Sequence, residues 1–200
     1  GLNVFTIMAI PFFFLAAELM TASKAIEDIM EFADALVGRL RGGLAHVNVV
    51  NSAFFSTVSG SAIADIASLG AIEIRAMETM GYDKRFATAL TVASSLVGAI
   101  IPPSIILMLY ASVAQVSVAA IFLAAIVPGF LMVGLLMLVV AMLARKYNFP
   151  RREERYTPRQ FFGIALRASL PLAMPVIILG GIVSGVFTAT EAAAGAVAYM

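Results

Sequence analysis

The sequence predicts an all-α polytopic membrane protein, and three observations carry that prediction. Of its 200 residues, 62% are hydrophobic, and the mean hydropathy is +0.99. Charged residues make up 12%, about half the ~25% of an ordinary globular domain. From Phe86 to Ala144 no residue is charged, a run long enough for two spanning helices of about 20 residues each. The composition also narrows function. There is no cysteine for disulfides or thiolate metal sites. A net charge of +1 gives no reason to expect a nucleic acid partner.

Residues 1–22 read as the first membrane helix, because Leu2 to Met20 is apolar apart from Asn3, Thr6, Pro11 and Glu18. Pro11 lacks a donor and crowds the turn before it, so a kink is expected there. Glu18, near one end, reads as an interfacial carboxylate. Residues 23–43 are amphipathic. Ile26, Ile29, Met30, Ala33, Leu36, Val37 and Leu40 recur at helical spacing, opposite Glu27, Asp28, Glu31 and Asp34. Ser23 suits the N-cap, the acids suit the N-terminal half, and Gly42-Gly43 suits the end. Such a helix lies along the membrane interface or clamps a mobile bundle.

Residues 44–80 are unusual for lipid. Asn48, Asn51, Ser52, Ser56, Thr57, Ser59, Gly60 and Ser61 crowd one uncharged stretch; Asp65 follows, and charge returns at Glu73, Arg75 and Glu78. Two short helices meeting at Ser59-Gly60-Ser61, a re-entrant hairpin over Gly42 to Gly70, account for this. An ordinary helix with a small-residue packing face accounts for it equally well. His46, the one histidine, reads as an interfacial residue without a role.

Residues 81–117 open on a polar turn, Gly81-Tyr82 with Asp83-Lys84-Arg85, and continue as a membrane segment interrupted at Gly98, Pro102 and Pro103. Two prolines remove two donors and push the residues before them out of helical geometry. The carbonyls so freed, with Ser104, are hard oxygen ligands of the kind Na+ accepts. A simple kinked helix is the alternative. Residues 118–145 form the next membrane segment, with a kink expected at Pro128-Gly129.

The connector at 146–160 orients the chain. Arg145, Lys146, Arg151, Arg152, Arg155 and Arg159 stand against Glu153 and Glu154, and short loops rich in Lys and Arg stay cytoplasmic. That places the Gln115 turn outside and Asp83-Lys84-Arg85 inside. Residues 161–200 supply two further membrane segments. Ala168 to Thr190 is uncharged, and Thr188-Ala189-Thr190-Glu191 reads as a capped start to an Ala-rich helix. Both ends of the sequence fall within apolar runs, so an internal piece of a longer chain is expected.

Interrupted helices at membrane depth survive where they line a protein cavity. In transporters such breaks mark the ion and substrate site. The stretch from Asn51 to Ser104 therefore reads as half of a cation-coupled transport site.

With the segments placed, the sequence resembles the large membrane subunit (DctM type) of tripartite ATP-independent periplasmic (TRAP) transporters over essentially its whole length. The resemblance rests on Ile10–Ala17 (IPFFFLAA), Phe54–Ala62 (FFSTVSGSA), Gly81-Tyr82, Gly98–Ser104 (GAIIPPS), Pro128-Gly129 and Gly180–Ala193 (GGIVSGVFTATEAA). Their order and spacing together make it specific. Ala17 and Ala189 depart from a pattern that often has Gly and Pro there.

The resemblance implies an inverted-repeat, elevator-type secondary transporter core in which 44–80 is a re-entrant hairpin entered from the cytoplasm. A second hairpin and second double-proline break would lie beyond Met200. It implies a Na+ half-site formed by Ser59, Gly60 and Ser61 of the hairpin tip with Gly98, Ile101, Pro102 and Ser104 of the broken helix. Ser61, Ala62 and Pro103 would border the substrate, an organic acid such as a C4-dicarboxylate. Implied partners are a small membrane subunit (DctQ type) and a periplasmic binding protein, in a bacterial or archaeal inner membrane. No cofactor is implied beyond Na+ as coupling ion. An enzyme is not expected, because the membrane segments lack paired carboxylates, a His-based triad or a metal-ligand cluster. A related carrier working without a binding protein, or a non-transporting scaffold subunit, are the alternatives.

Overall fold

The computed structural model describes residues 4–151 and 156–199, and their regular structure is helical throughout. Gly1, Leu2, Asn3, Met200 and the connector residues Arg152, Glu153, Glu154 and Arg155 lie outside the described residues.

Helix α1 (Val4–Ala22) keeps Pro11 within a continuous helix and then turns by 74° into α2 (Ala25–Val37). At this corner the Ser23 hydroxyl donates to the Met20 carbonyl (2.8 Å) and accepts from the Ala25 N–H (3.2 Å). Lys24, not Ser23, therefore holds the N-cap position. Helix α2 also ends earlier than its apolar periodicity predicts, at Val37 with Gly38 as C-cap. The reason is close packing: a Cβ on Gly43, the first residue of the next helix, would meet the Gly38 carbonyl oxygen.

Helix α3 (Gly43–Ser59) runs through the middle of the fold. A return arm follows, made of α4 (Ala62–Asp65), a π-helical turn at Ile66–Gly70 and α5 (Ala71–Thr79). Helices α6 (Lys84–Ser95) and α7 (Val97–Ile100) lead to a break, and α8 (Ile105–Ala114) resumes beyond it. Helix α9 (Val118–Lys146) contains Pro128, and α10 (Pro158–Val183) starts on a capping box of Thr157 and Gln160. Helix α11 (Ala189–Tyr199) starts on a second reciprocal cap. There the Glu191 carboxylate accepts from the Thr188 N–H (2.8 Å), and the Thr188 hydroxyl accepts from the Glu191 N–H (3.3 Å).

Among the described residues three stretches are long and apolar enough to cross a membrane: Lys84–Ala114, Val118–Lys146 and Pro158–Val183; the bent α1–α2 pair makes a fourth if it counts as one span. Helix α9 turns Val127, Phe130 and Leu131 outward, each more than 60% exposed. Contiguous apolar surface of this kind suits lipid and is rare on a soluble monomer.

Two apolar clusters hold the helices together. One gathers Phe13, Met20, Phe55, Leu69, Phe122 and Met174; the other gathers Val49, Met77, Tyr82, Leu90 and Val140. Three turns share the end of the second cluster. The Gly42 N–H donates to the Pro150 carbonyl (3.2 Å), and Arg151 Nε donates to the Arg39 carbonyl (3.2 Å). The Tyr82 and Phe86 rings lie 4.8 and 4.9 Å from that of Phe149. The start of α3, the turn before α6 and the start of the basic connector are thus neighbours. Burial pushes the Tyr82 phenol up to about 12, so it stays neutral in this cluster.

Outside that cluster, Arg167 of α10 pairs with Glu31 of α2 (2.6 Å), and Tyr156 donates to Asp34 (2.8 Å). The charged face of α2 therefore clamps α10 as well as meeting solvent. His46 is buried within the protein, with Nδ1 3.2 Å from the Met137 sulfur. Phe55 is 1% exposed on α3, where the first cluster meets the return arm. Phe55→Ala is expected to cost about 3–5 kcal/mol and to lower the unfolding midpoint of the full-length protein in detergent by several degrees. A midpoint within one degree of the parent would refute this placement of the core.

Candidate functional site

The hairpin turns because α3 runs into a residue that can reverse it. Gly60 takes the left-handed conformation (φ 59°), and its N–H closes the last turn on the Ser56 carbonyl (2.9 Å). Ser61 is extended, and its hydroxyl accepts from the Ala64 N–H (3.4 Å), which starts the return arm. The arm runs back beside α3, since Asn48 and Asn51 of α3 both reach Glu73 of α5.

The break has an equally local cause. In a continuous helix Pro102 and Pro103 would donate to the carbonyls of Gly98 and Ala99, and neither can. The Ser104 hydroxyl takes over the Ala99 carbonyl (2.7 Å) and caps α8 by accepting from the Leu107 N–H (3.4 Å). Ile101 leaves helical geometry (ψ 126°), and the Pro102–Pro103 bond is cis.

Tip and break touch. The Ile105 N–H donates to the Gly60 carbonyl (3.2 Å). A Cβ on Gly60 would stand 2.6 Å from the Pro103 carbonyl oxygen, and one on Gly98 would stand 3.0 Å from Ser56 Cβ and 3.4 Å from the Ser61 carbonyl carbon. The structure thus brings together Gly60, Ser61, Gly98, Pro103 and Ser104. Ile101 points its side chain at Gly129 of α9, where a Cβ would lie 2.7 Å from its Cγ1, so its side chain is taken up in packing. Pro102 is buried beside it. Ser59 is buried, and its hydroxyl sits 3.5 Å from the Ser61 N–H. Ser61 and Ala62 are half-buried, and Ser61 borders a cleft of about 350 Å³ that also holds Phe14, Glu18, Thr21 and Ser68.

Two helix C-termini, α3 at Ser59 and α7 at Ile100, therefore end at one place, and α8 begins there. The last carbonyls of a helix lack partners and carry partial negative charge, while the first N–H groups carry partial positive charge. Such a junction offers oxygens to a cation and N–H groups to an anion beside it.

Sequence reasoning missed a buried polar network between α3, α5 and α6. Asn48 Nδ2 donates to Glu73 (2.5 Å) and to the Thr91 hydroxyl (2.8 Å), and Asn51 Nδ2 donates to Glu73 (2.9 Å). Ser52 donates to Ser94 (3.1 Å), and Ser94 to the Asn48 side-chain oxygen (2.8 Å). Glu73 is only 5% exposed, so charge does not return to water there. The signal was present: Asp65, Leu69, Glu73 and Met77 recur every fourth residue, and all four are buried. Among the described residues no group of three or more His, Cys, Asp or Glu side chains could hold a metal ion.

The model of the family described as "Tripartite ATP-independent periplasmic transporter, DctM component" matches residues 1–200. The chain is 45% identical to the uncharacterised protein YgiK of Salmonella typhimurium, covering 100% of this chain and 46% of that protein. It is 42% identical to the sialic acid TRAP transporter large permease protein SiaM of Vibrio cholerae, over 97% of this chain and 45% of the relative. It is 40% identical to the C4-dicarboxylate TRAP transporter large permease protein DctM of Pseudomonas aeruginosa, over 98% of this chain and 45% of the relative. The chain spans about half the length of these curated relatives.

The contact between tip and break makes a specific demand on Gly60. An alanine there adopts a conformation that costs an L-residue about 1–2 kcal/mol, and its Cβ also strikes the Pro103 carbonyl. Gly81 has a similar backbone (φ 88°) with nothing near its missing Cβ. Gly60→Ala should therefore lower the unfolding midpoint clearly more than Gly81→Ala, and equal losses would refute the contact.

Proposed function

This chain belongs to the DctM component family of tripartite ATP-independent periplasmic transporters, a family of transport permeases and not of enzymes, and from that membership we propose that it forms one half of a Na+-coupled site for organic acids. The observation that carries the proposal is the meeting of the hairpin tip with the double-proline break, where two helix C-termini and one helix N-terminus converge.

On this reading the hairpin is re-entrant. Its two roots, the start of α3 and the turn before α6, neighbour the start of the basic connector, which supports entry from the cytoplasmic side. Ser59, Gly60 and Ser61 from the tip, with Gly98, Ile101, Pro102 and Ser104 from the break, supply oxygens to one Na+. Most of these are backbone carbonyls, hard ligands that match a small cation and add no net charge. Ser104 contributes through its backbone or a lone pair, since its proton is held by Ala99.

A carboxylate substrate then binds beside the cation, near Ser61, Ala62 and Pro103, where the ion and the N-terminus of α8 favour it. Two of the relatives are named for sialic acid and C4-dicarboxylates, both carboxylates, which supports an organic acid as the class. The rest of the site comes from the remainder of the full-length protein. A periplasmic binding protein delivers the substrate, a small membrane subunit of the DctQ type scaffolds the movement, and the core moves as an elevator in the inner membrane. The inward Na+ gradient supplies the drive without ATP.

In the full-length protein, reconstituted with its small subunit and binding protein, uptake of a matched organic acid should stop when choline replaces Na+. Ser59→Ala with Ser61→Ala should raise the Na+ concentration for half-maximal uptake about tenfold, the equivalent of ~1.4 kcal/mol, at unchanged expression. Uptake indifferent to choline sinks the coupling; an unaltered Na+ curve in the double variant removes these serines from the site.

A further inference from the structure

The hairpin tip also opens onto α1. Between the return arm and the second half of α1 lies a cleft of about 350 Å³. Ser61 of the tip stands on its wall with Glu18 and Thr21 of α1 and Ser68 of the π-helical turn, and Phe14 and Phe55 supply apolar surface. The volume is that of a site for a small organic molecule. Glu18, whose place near the end of α1 reads as interfacial in the sequence, shares this cleft with the tip. An ionisable side chain on a membrane helix that faces a cavity marks a ligand path.

The polar wall of the cleft mostly accepts. A carboxylate offers acceptors alone, and among the described residues Glu18 has no hydrogen-bond or ion-pair partner. The Thr21 hydroxyl spends its proton on the Ala17 carbonyl (2.8 Å) and keeps only lone pairs. The Ser68 hydroxyl has no partner among the described residues either. No Lys, Arg or His lines the cleft. A molecule lying there is asked for donors and is offered no positive charge.

We propose that Glu18 is a specificity-determining residue that accepts hydrogen bonds from substrate hydroxyls and excludes a second carboxylate, so that the substrate is a hydroxylated monocarboxylate. This rests on the reading of the tip as a carboxylate site and names which organic acids fit it. With its carboxylate at the tip, a substrate extends past Ser61 into the cleft. A second carboxylate there meets the like charge of Glu18 with no cation between them. A bare alkyl chain displaces water from Glu18 and supplies no donor in return. A terminal ammonium serves one acceptor, whereas hydroxyls along a chain serve Glu18, Thr21 and Ser68 together.

The experiment follows thermal unfolding of the purified full-length transporter in detergent and NaCl as matched six-carbon acids are added. The panel is gluconate, galactonate, glucarate, hexanoate and 6-aminohexanoate, and binding to the folded state raises the midpoint. The better of gluconate and galactonate should bind about tenfold or more tighter than the other three acids, since a site built around hydrogen bonds rejects analogues that lack them. Glu18→Gln keeps an acceptor and removes the charge. It should narrow the gap between gluconate and glucarate several-fold, a change of ratio that a merely structural defect does not produce. An unchanged gap overturns the proposal, as does tighter or equal binding of glucarate, hexanoate or 6-aminohexanoate by the parent; both leave the organic-acid site itself standing. If no acid raises the midpoint in NaCl above its value in choline chloride, the reading of the tip fails and this proposal falls with it. If Glu18→Gln does not fold, Ser68→Ala reads the same wall: several-fold weaker gluconate binding supports the proposal, and unchanged binding overturns it.

Discussion

A chain that turns inside a membrane protein must find partners for backbone groups that a regular helix would satisfy for itself, and this requirement organises the whole molecule. The Gly60 carbonyl is left over when α3 ends, and the Ile105 N–H is left over when α8 begins. Each has no intrahelical partner, and each satisfies the other. The two interruptions are therefore a single structural event. Neither the hairpin turn nor the double-proline break could be buried alone at low cost. The Ser104 hydroxyl on the Ala99 carbonyl performs the same service one residue earlier. The ends of α3 and α7 bring carbonyl oxygens to the same junction, and helix C-termini carry partial negative charge.

The arms of the hairpin are held together by polar contacts where apolar packing would be expected. Asn48 and Asn51 span from α3 to Glu73, and Ser52 and Ser94 connect α3 to α6. In a low-dielectric interior such bonds are directional, and an unmade one is expensive. They fix the register of the return arm against α3 more strictly than leucines would, because a slip of one residue would strand a carboxylate. The π-helical turn at Ile66–Gly70 lies between the two buried acids of this arm. It takes up an extra residue within the helix while Asp65 and Glu73 both stay on the inner face.

Much of this was legible in the sequence, for reasons that can be stated residue by residue. The all-helical, multi-pass character follows from the uncharged run between Arg85 and Arg145. The cap of α11 follows from Thr188 and Glu191 at their characteristic spacing. The turn at Gly60 was one of two readings, because Ser59-Gly60-Ser61 suits a helix packing face as well as a reversal. Only the three-dimensional contact with Pro103 separates them. The burial of Glu73 was not read from the sequence, because a charge in a membrane protein usually marks the return to water. Its fourth-residue spacing from Leu69 and Met77 pointed inward, and its two amide donors lie more than 20 positions away. The end of α2 at Gly38 depended on a close approach by Gly43 that no local propensity encodes.

The placement of charge within the hairpin has its own logic. The tip and the break themselves carry only carbonyl and hydroxyl oxygens; the acids of the hairpin sit deeper, at Asp65 and Glu73, and Glu18 of α1 lines the cleft beside Ser61. A carboxylate at the tip would bind a cation more tightly, but it would also repel an anionic substrate arriving beside it. Under the proposed function neutral oxygens would avoid that conflict: an ion bound there would make the tip positive, and the N-terminus of α8 would add to that potential. Without the ion, the carbonyl ends of α3 and α7 face the anion alone and disfavour it. Under the proposed function an empty tip would therefore disfavour the substrate on electrostatic grounds. A negative side chain at the junction would weaken that exclusion, which gives a physical reason for building the site from helix ends and keeping the carboxylates in the arms.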